Sequence, residues 1–352
     1  MDDAAQQPDD DTAVTGKTKR RMEKQRRLTQ APFVVVCLQT TGIHPSTSRV
    51  VAIDAVTFTA GGDKIDSMHA VVNPRCDTGP FHMHGLSRAQ IAQGVSFTQA
   101  LGQLCAFTDG RTMIVHNGPR TWGFIVAEAA RARKQLDKPA RHRRRRRRPP
   151  ARYPKPVVIV DVLASARRQG VTVTDTRIRG LAAASGVDGP SPVATPGRAK
   201  LAEKRFTRES TMLVWRIYRR LAATGDIAAF DPAAVRADRF GLQRSLLRVD
   251  ANDAERRFLN PGVWTPGTPL VEGMEVVVSP DIRMDPDIII EAAVTANLSY
   301  SEKLTRQTSV VVCNRDNELF GKTLHADRKD IPLVVDEDFV ALCESVARGR
   351  RS

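Results

Sequence analysis

The chain is 352 residues long, room for two ordinary domains with tails, and its 41% hydrophobic content is enough to build real cores. Aromatic residues make up only 5%, so packing must lean on Val, Leu, Ile and Ala, and the formal net charge is +15. No window approaches the roughly 18 uninterrupted apolar residues of a membrane span, and no apolar core follows a basic start as in a secretory signal.

The five cysteines (Cys37, Cys76, Cys105, Cys313, Cys343) are scattered, with no CxxC pair. Neither a disulfide framework nor a zinc site is indicated, and a cytoplasmic protein is expected, nucleoid association included. The charge is unevenly placed. Residues 17–27 carry +6 and residues 141–148 carry +7, together 13 of the 15 excess charges. Arginines packed this densely repel one another, and a polyanion relieves that repulsion. The expected partner is therefore DNA or RNA, engaged through two basic arms containing Lys17, Lys19, Arg20 and Arg21, and Arg143, Arg144, Arg145, Arg146, Arg147 and Arg148. No membrane partner is expected.

In chain order, residues 1–30 read as a disordered arm, acidic and then basic. A buried strand starts at Phe33, the turn TTGIHPSTS follows, and a second strand begins at Arg49. A Gly-Gly-Asp turn at 61–63 leads to a third strand around Ile65–Val72. Helical spacing follows over 87–93 and 96–107, then a short strand over 112–116 and an Ala-rich helix over 121–135. An Arg-rich loop is expected over 136–156. A buried strand resumes at 157–160, with Asp161 placed to cap a helix over 162–169. Helices are also read over 177–185 and 203–222.

Residues 223–265 read as a linker holding a short helix near 240–249. Beyond it, strands at 275–278, 309–313 and 332–335 alternate with helices at 286–296, 321–329 and 337–347. This alternation argues for a small parallel sheet with helices on its faces.

The segments FVVVCLQTTGIHPSTSRVVAIDAV (33–56), HMHGLSRAQI (82–91), IVHNGPRTWGF (114–124) and VVIVDVLASARR (157–168) stand in an order that resembles the DnaQ-like, or DEDDh, 3′–5′ exonucleases. That family includes the proofreading epsilon subunit of DNA polymerase III. The resemblance runs over 31–222 and implies a ribonuclease-H-like α/β fold, with a mixed central sheet and helices on both sides. Residues 266–347 resemble a BRCT domain, through LVEGMEVVVSPDIRMDPDIII, KLTRQTSVVVCN, FGKTLHADRKDIPLV and DEDFVALC. Such domains bind phosphopeptides, DNA ends or other proteins.

The family's chemistry requires carboxylates that hold two divalent metals about 3.5–4 Å apart. Here the first-strand pair is Cys37 and Gln39, and the second motif keeps His116 and Asn117 but has Thr121 in place of its acid. Anchoring the third motif on the helix TRESTMLVWRIYRRL puts Ala202 and Thr207 at its positions. Neutral amide and hydroxyl groups are poor Mg²⁺ ligands, and a thiol has the wrong hardness. No cofactor is expected. Mg²⁺ or Mn²⁺ enters only under the alternative reading of a working exonuclease or proofreading subunit.

Other candidates have plainer readings. Glu203 reads as a first-turn residue favoured by the helix dipole. His82 and His84 belong to a turn, Trp122 and Phe124 to the core, and Cys37 reads as an inert buried thiol. In the BRCT-like part, Ser279 and Lys322 fall where a phosphate pocket would be, although Pro280 removes a backbone donor there. The resulting expectation is a DNA-associated replication or repair scaffold whose exonuclease-like domain has lost two-metal catalysis. The alternatives are an active 3′–5′ exonuclease and an RNA-associated protein, and a protein partner is expected for the BRCT-like domain.

Overall fold

The computed structural model describes residues 16–137, 153–314, 319 and 321–352. Helix α1 (Gly16–Gln30) leads into β1 (Phe33–Thr40), β2 (Val50–Phe58) and β3 (Lys64–Val71). Next come α2 (Arg88–Ala92), α3 (Phe97–Thr108), β4 (Thr112–Val115), α4 (Gly118–Asp137), β5 (Val158–Asp161), α5 (Val162–Arg168), α6 (Ile178–Ala184), α7 (Pro196–Ala199) and the long α8 (Glu203–Thr224). Strand β6 (Ala229–Phe230) completes a six-stranded sheet of order β3-β2-β1-β4-β5-β6.

The β1–β2, β2–β3 and β5–β6 pairs are antiparallel, whereas β4 runs parallel to β1 and to β5. Every residue of β2 is buried, as a central strand covered on both faces requires. Val34, Val36 and Ile53 pack with Leu101, Leu104 and Ile125 of α3 and α4. On the other face, Val35, Cys37 and Val56 pack with Leu163 of α5, Leu181 of α6 and Leu213, Trp215 and Ile217 of α8. This is the α/β arrangement, a mixed central sheet with helices on both sides, that the resemblance implies.

The chain then forms a hairpin of β7 (Val235–Ala237) and β8 (Gln243–Ser245), followed by α9 (Leu246–Asp253). A second, four-stranded sheet is built from β9 (Glu275–Val278), β10 (Ser299–Tyr300), β11 (Thr308–Val312) and β12 (Leu333–Val334). With α10 (Pro286–Thr295), α11 (Lys322–Asp327) and α12 (Asp336–Leu342) it makes a small α/β unit, wholly parallel, of order β10-β9-β11-β12.

Two expectations are corrected. Residues 16–30, expected within a disordered arm, form α1. Lys, Arg, Met, Gln and Glu are good helix formers, Glu23 and Arg27 pair at i,i+4 with 2.9 Å between them, and the Ala31 amide closes the last turn on the Arg27 carbonyl. Residues 223–265, expected as a linker, are largely packed. Phe230 and Val235 lie against the first core, while Leu247, Ala251 and Trp264 belong to the core of the second sheet. Several of the segment's charges are mutual partners or reach across to the second sheet, as in Arg244–Asp238 at 2.9 Å and the Arg248–Glu302 pair. Balanced charge there marks a folded surface, not a solvated spacer.

The short strands β6 and β10 have no counterpart among the expected elements. Each is two residues long, below the length at which alternation is visible.

Candidate functional site

The site is assembled where the C-terminal end of β1 meets the start of α4. Asp161 organises this corner. Its Oδ2 accepts the Gly118 amide at 2.7 Å and its Oδ1 accepts the Ala164 amide at 3.0 Å, so one buried carboxylate caps both α4 and α5. Asn117 Oδ1 accepts the Arg120 amide at 3.1 Å. Gly118 is needed for close approach, because a Cβ there would lie 2.6 Å from the Phe230 ring. His116 is half-buried, and desolvation of its ring pushes the imidazole down to about 4, so it is neutral at pH 7. His116 and Asn117 are thus built into this corner.

A cavity of about 390 Å³ opens here, and its wall includes Cys37, Gln39, His116, Asn117 and Thr121. The structure therefore gathers the sequence-derived candidates of β1 and α4 into one place. Thr207 reaches the same corner from α8, where Gln39 Nε2 donates to its Oγ1 at 3.0 Å. Ala202 is not part of the wall. It is the exposed residue preceding α8 and makes no side-chain cap.

Behind the cavity lies a buried polar chain. Thr207 Oγ1 donates to Glu203 Oε1 at 2.6 Å, and Glu203 Oε2 lies 3.1 Å from His69 Nε2. His69 Nδ1 lies 3.3 Å from Asp54 Oδ1. Asp54 is fully buried and takes the Arg208 guanidinium at 2.8 and 2.9 Å and the Thr211 hydroxyl at 2.7 Å. Burial opposes charge on His69, but the two carboxylates outweigh it and raise the imidazole to about 9. For Asp54, too, burial favours the neutral form, yet His69, Arg208 and Thr211 hold its carboxyl below the usual range.

Glu203 stands in the first turn of α8, as the sequence leads one to expect, but it does more than favour the helix dipole. It is 4% exposed and joins α8 to β3. Burial pushes the Cys37 thiol up to about 12, so it is held protonated.

The charged part of the wall is basic. Arg120, Arg177, Arg179 and Arg198 line it, and no Asp or Glu does so among the described residues. Arg177 pairs with Asp175 at 2.8 Å and Arg179 pairs with Glu209. Arg120 donates to Thr40 Oγ1 at 3.1 Å and to the Gly42 carbonyl at 3.3 Å. Arg198 donates to the Pro192 carbonyl at 3.3 Å. The Phe206 ring carries both Arg179 and Arg198, at 5.2 and 5.4 Å from its centroid.

A protonated thiol, an amide and a hydroxyl beside four guanidiniums do not suit a hard dication. Among the described residues, no group of three or more His, Cys, Asp or Glu could hold a metal. Sequence reasoning missed the three arginines at 177, 179 and 198, which carry no local signal. It also missed the Asp54 chain, although a lone acid within VVAIDAVTF is itself a sign of a buried partner.

Of the arm residues, Lys17, Lys19, Arg20 and Arg21 lie on α1, and Lys19 and Arg21 are exposed. Arg143–Arg148 lie outside the described residues. In the second sheet, Lys322 Nζ donates to the Val278 carbonyl at 3.4 Å, beside Ser279. The Ser279 hydroxyl accepts the Asp281 amide at 3.2 Å, so it is already engaged. Burial lowers the Lys322 ammonium to about 8, against the opposing pull of Glu302. Of the turn histidines, His84 holds its turn by contacts to Thr78 and Leu86, and His82 is exposed. Trp122 and Phe124 are both buried in the core. No described helix is long and apolar enough to cross a membrane.

No protein-family model matches the sequence, and no curated protein matches it. Solved structures similar to the chain include a 3′-exonuclease described in 3′-end-specific recognition of the histone mRNA stem-loop (TM-score 0.42, 11% identity, 61% of this chain and 89% of that one). A second is E. coli exonuclease I in complex with a dT13 oligonucleotide (TM-score 0.37, 12% identity, 55% and 41%). A third is the RNase domain of the yeast Pop2 protein (TM-score 0.38, 10% identity, 58% and 82%). The chain thus spans under half the length of exonuclease I.

Proposed function

We propose that this protein is a nucleic-acid-binding scaffold, DNA-associated in replication or repair, whose exonuclease-like domain binds phosphate without two-metal hydrolysis. The observation that carries the reading is the cavity at the end of β1, lined by four arginines and by no carboxylate among the described residues. A two-metal site needs acids to hold its cations, and each metal supplies positive charge to the phosphate. Here the positive charge is part of the protein itself. Guanidinium groups bind phosphate oxygens in bidentate fashion and need no metal to do so. The basic arms add sequence-independent affinity.

The four-stranded parallel unit is proposed as a BRCT-like module that contacts a protein partner, with Ser279 and Lys322 as its candidate phosphate contacts. The order β10-β9-β11-β12 and the closeness of Lys322 to the end of β9 support this.

The test is oligonucleotide binding in excess chelator, beside a 3′-exonuclease assay in Mg²⁺ and in Mn²⁺. Binding that survives chelation, with no shortening of the strand, is expected. Metal-dependent shortening would return the reading to a working nuclease.

A further inference from the structure

Resting on the reading above, we infer that the arginine-lined cavity takes a phosphomonoester, the dianionic phosphate at the end of a nucleic-acid strand or on a free nucleotide. The four guanidiniums differ in how their charge is balanced. Arg177 and Arg179 are each offset by a carboxylate just outside the wall, Asp175 and Glu209. Arg120 and Arg198 instead donate to carbonyl and hydroxyl oxygens. Arg120 and Arg198 therefore have no ion-pair partner of their own among the described residues. An internal phosphodiester brings one negative charge, whereas a phosphomonoester brings about −1.5 to −2 at pH 7. The dianion matches what the wall leaves unbalanced.

The placement of the arginines agrees. Phe206 carries Arg179 and Arg198 on one ring, which holds two like charges at the same edge of the cavity. Arg120 is exposed on the cavity wall, where an anion can reach its guanidinium. Size also restricts the ligand. About 390 Å³ stands near the lower end of ligand pockets, which run from about 300 to 1,000 Å³. That volume suits one terminal nucleotide and excludes a duplex. The side chains of Ile43 and Met83, 61% and 44% exposed at the rim, offer apolar surface to a base.

The experiment compares one short oligonucleotide in three forms, with hydroxyl ends, with a 3′-phosphate and with a 5′-phosphate. Each is titrated in chelator by fluorescence anisotropy, with adenosine monophosphate as competitor. Because the basic arms see the same strand in every case, only the terminus differs. A phosphorylated end is expected to bind at least tenfold tighter, and the Arg120→Gln/Arg198→Gln double variant is expected to lose that preference. Arg198→Gln alone, at a half-buried residue bonded only to carbonyls, should lose part of it with an unchanged unfolding midpoint. Competition by adenosine monophosphate at comparable concentration assigns the ligand to free nucleotides, and preference for one phosphorylated end assigns it to that strand terminus.

Equal affinity for phosphate and hydroxyl ends overturns the inference, as does a preference that survives the double variant. If the double variant weakens all three oligonucleotides equally, the binding reading stands and the monoester inference fails. If it weakens none, both fail.

Discussion

Gln39 on β1 and Thr207 on α8 are joined by a hydrogen bond of 3.0 Å, across 168 residues of sequence. Thr207 donates its own proton to Glu203, so the corner where the resemblance would place two metal-binding acids is a neutral donor–acceptor pair backed by a carboxylate already in use. The bond ties the end of β1 to α8 and gives the half-buried Gln39 amide a partner.

The protein is expected not to shorten 3′ ends in Mg²⁺ or Mn²⁺. Two-metal cleavage needs ligands that Cys37, Gln39 and Thr121 do not provide. A labelled oligonucleotide resolved on a gel is the check. Mn²⁺-dependent shortening that disappears in Glu203→Ala would show that this one carboxylate still serves a metal.

Asp54→Ala is expected to be among the most destabilising single changes in the chain. Asp54 is fully buried and holds Arg208, Thr211 and His69 at once. Removing the acid leaves the half-buried Arg208 guanidinium without its carboxylate and His69 with Glu203 alone, and breaking a fully buried pair costs about 3–5 kcal/mol, an upper bound here. Chemical denaturation measures it, and a loss well under 1 kcal/mol would mean that the two cations find other partners.

The His69 contribution has a defined pH window. Its folded pKa of about 9 lies above the ordinary 6.5, so charged His69 stabilises the fold fully below about pH 6.5. That stabilisation is lost as the pH rises through about 9. The difference in unfolding free energy between the natural chain and His69→Gln should therefore be flat below about pH 6.5 and shrink towards pH 9. A difference that grows with pH would assign the effect to another group.

Affinity for duplex DNA is expected to depend steeply on salt. If about ten cations of the two basic segments engage phosphates, the log–log slope should be near −9, at roughly 0.9 per contact. Replacing Arg143–Arg148 with Ser and Gly should flatten the slope by several units with little change in the thermal midpoint. Persistence of the full slope without either segment would locate the binding elsewhere on the protein, with the arginine cavity and Lys322 as the first places to look.

Much of the fold is legible in the chain because its signals are local. The β-branched run FVVVCL marks a buried strand, Asp161 stands where a helix cap must, and the alternation of strands and helices after residue 266 marks a parallel sheet. The period of two likewise puts Cys37 and Gln39 on one face of β1. What escapes is short or balanced: the two-residue strands β6 and β10, and the segment 223–265, several of whose charges pair within it or with the second sheet. The helix at 16–30 escapes because dense positive charge signals repulsion, whereas its residue types favour a helix.

Which functional groups are missing follows from residue identity alone, since Cys37, Gln39 and Thr121 carry no acid in any fold. What stands in their place follows from packing. Arg120, Arg177, Arg179 and Arg198 come from three separate stretches of chain, and Glu203, His69 and Asp54 from α8, β3 and β2. Nothing in any one segment says that these charges will meet. Their meeting is fixed by the packing of α6 and α8 on the sheet, which brings groups distant in sequence to within hydrogen-bonding reach. There, away from water, each charge must find a partner or leave a place for one.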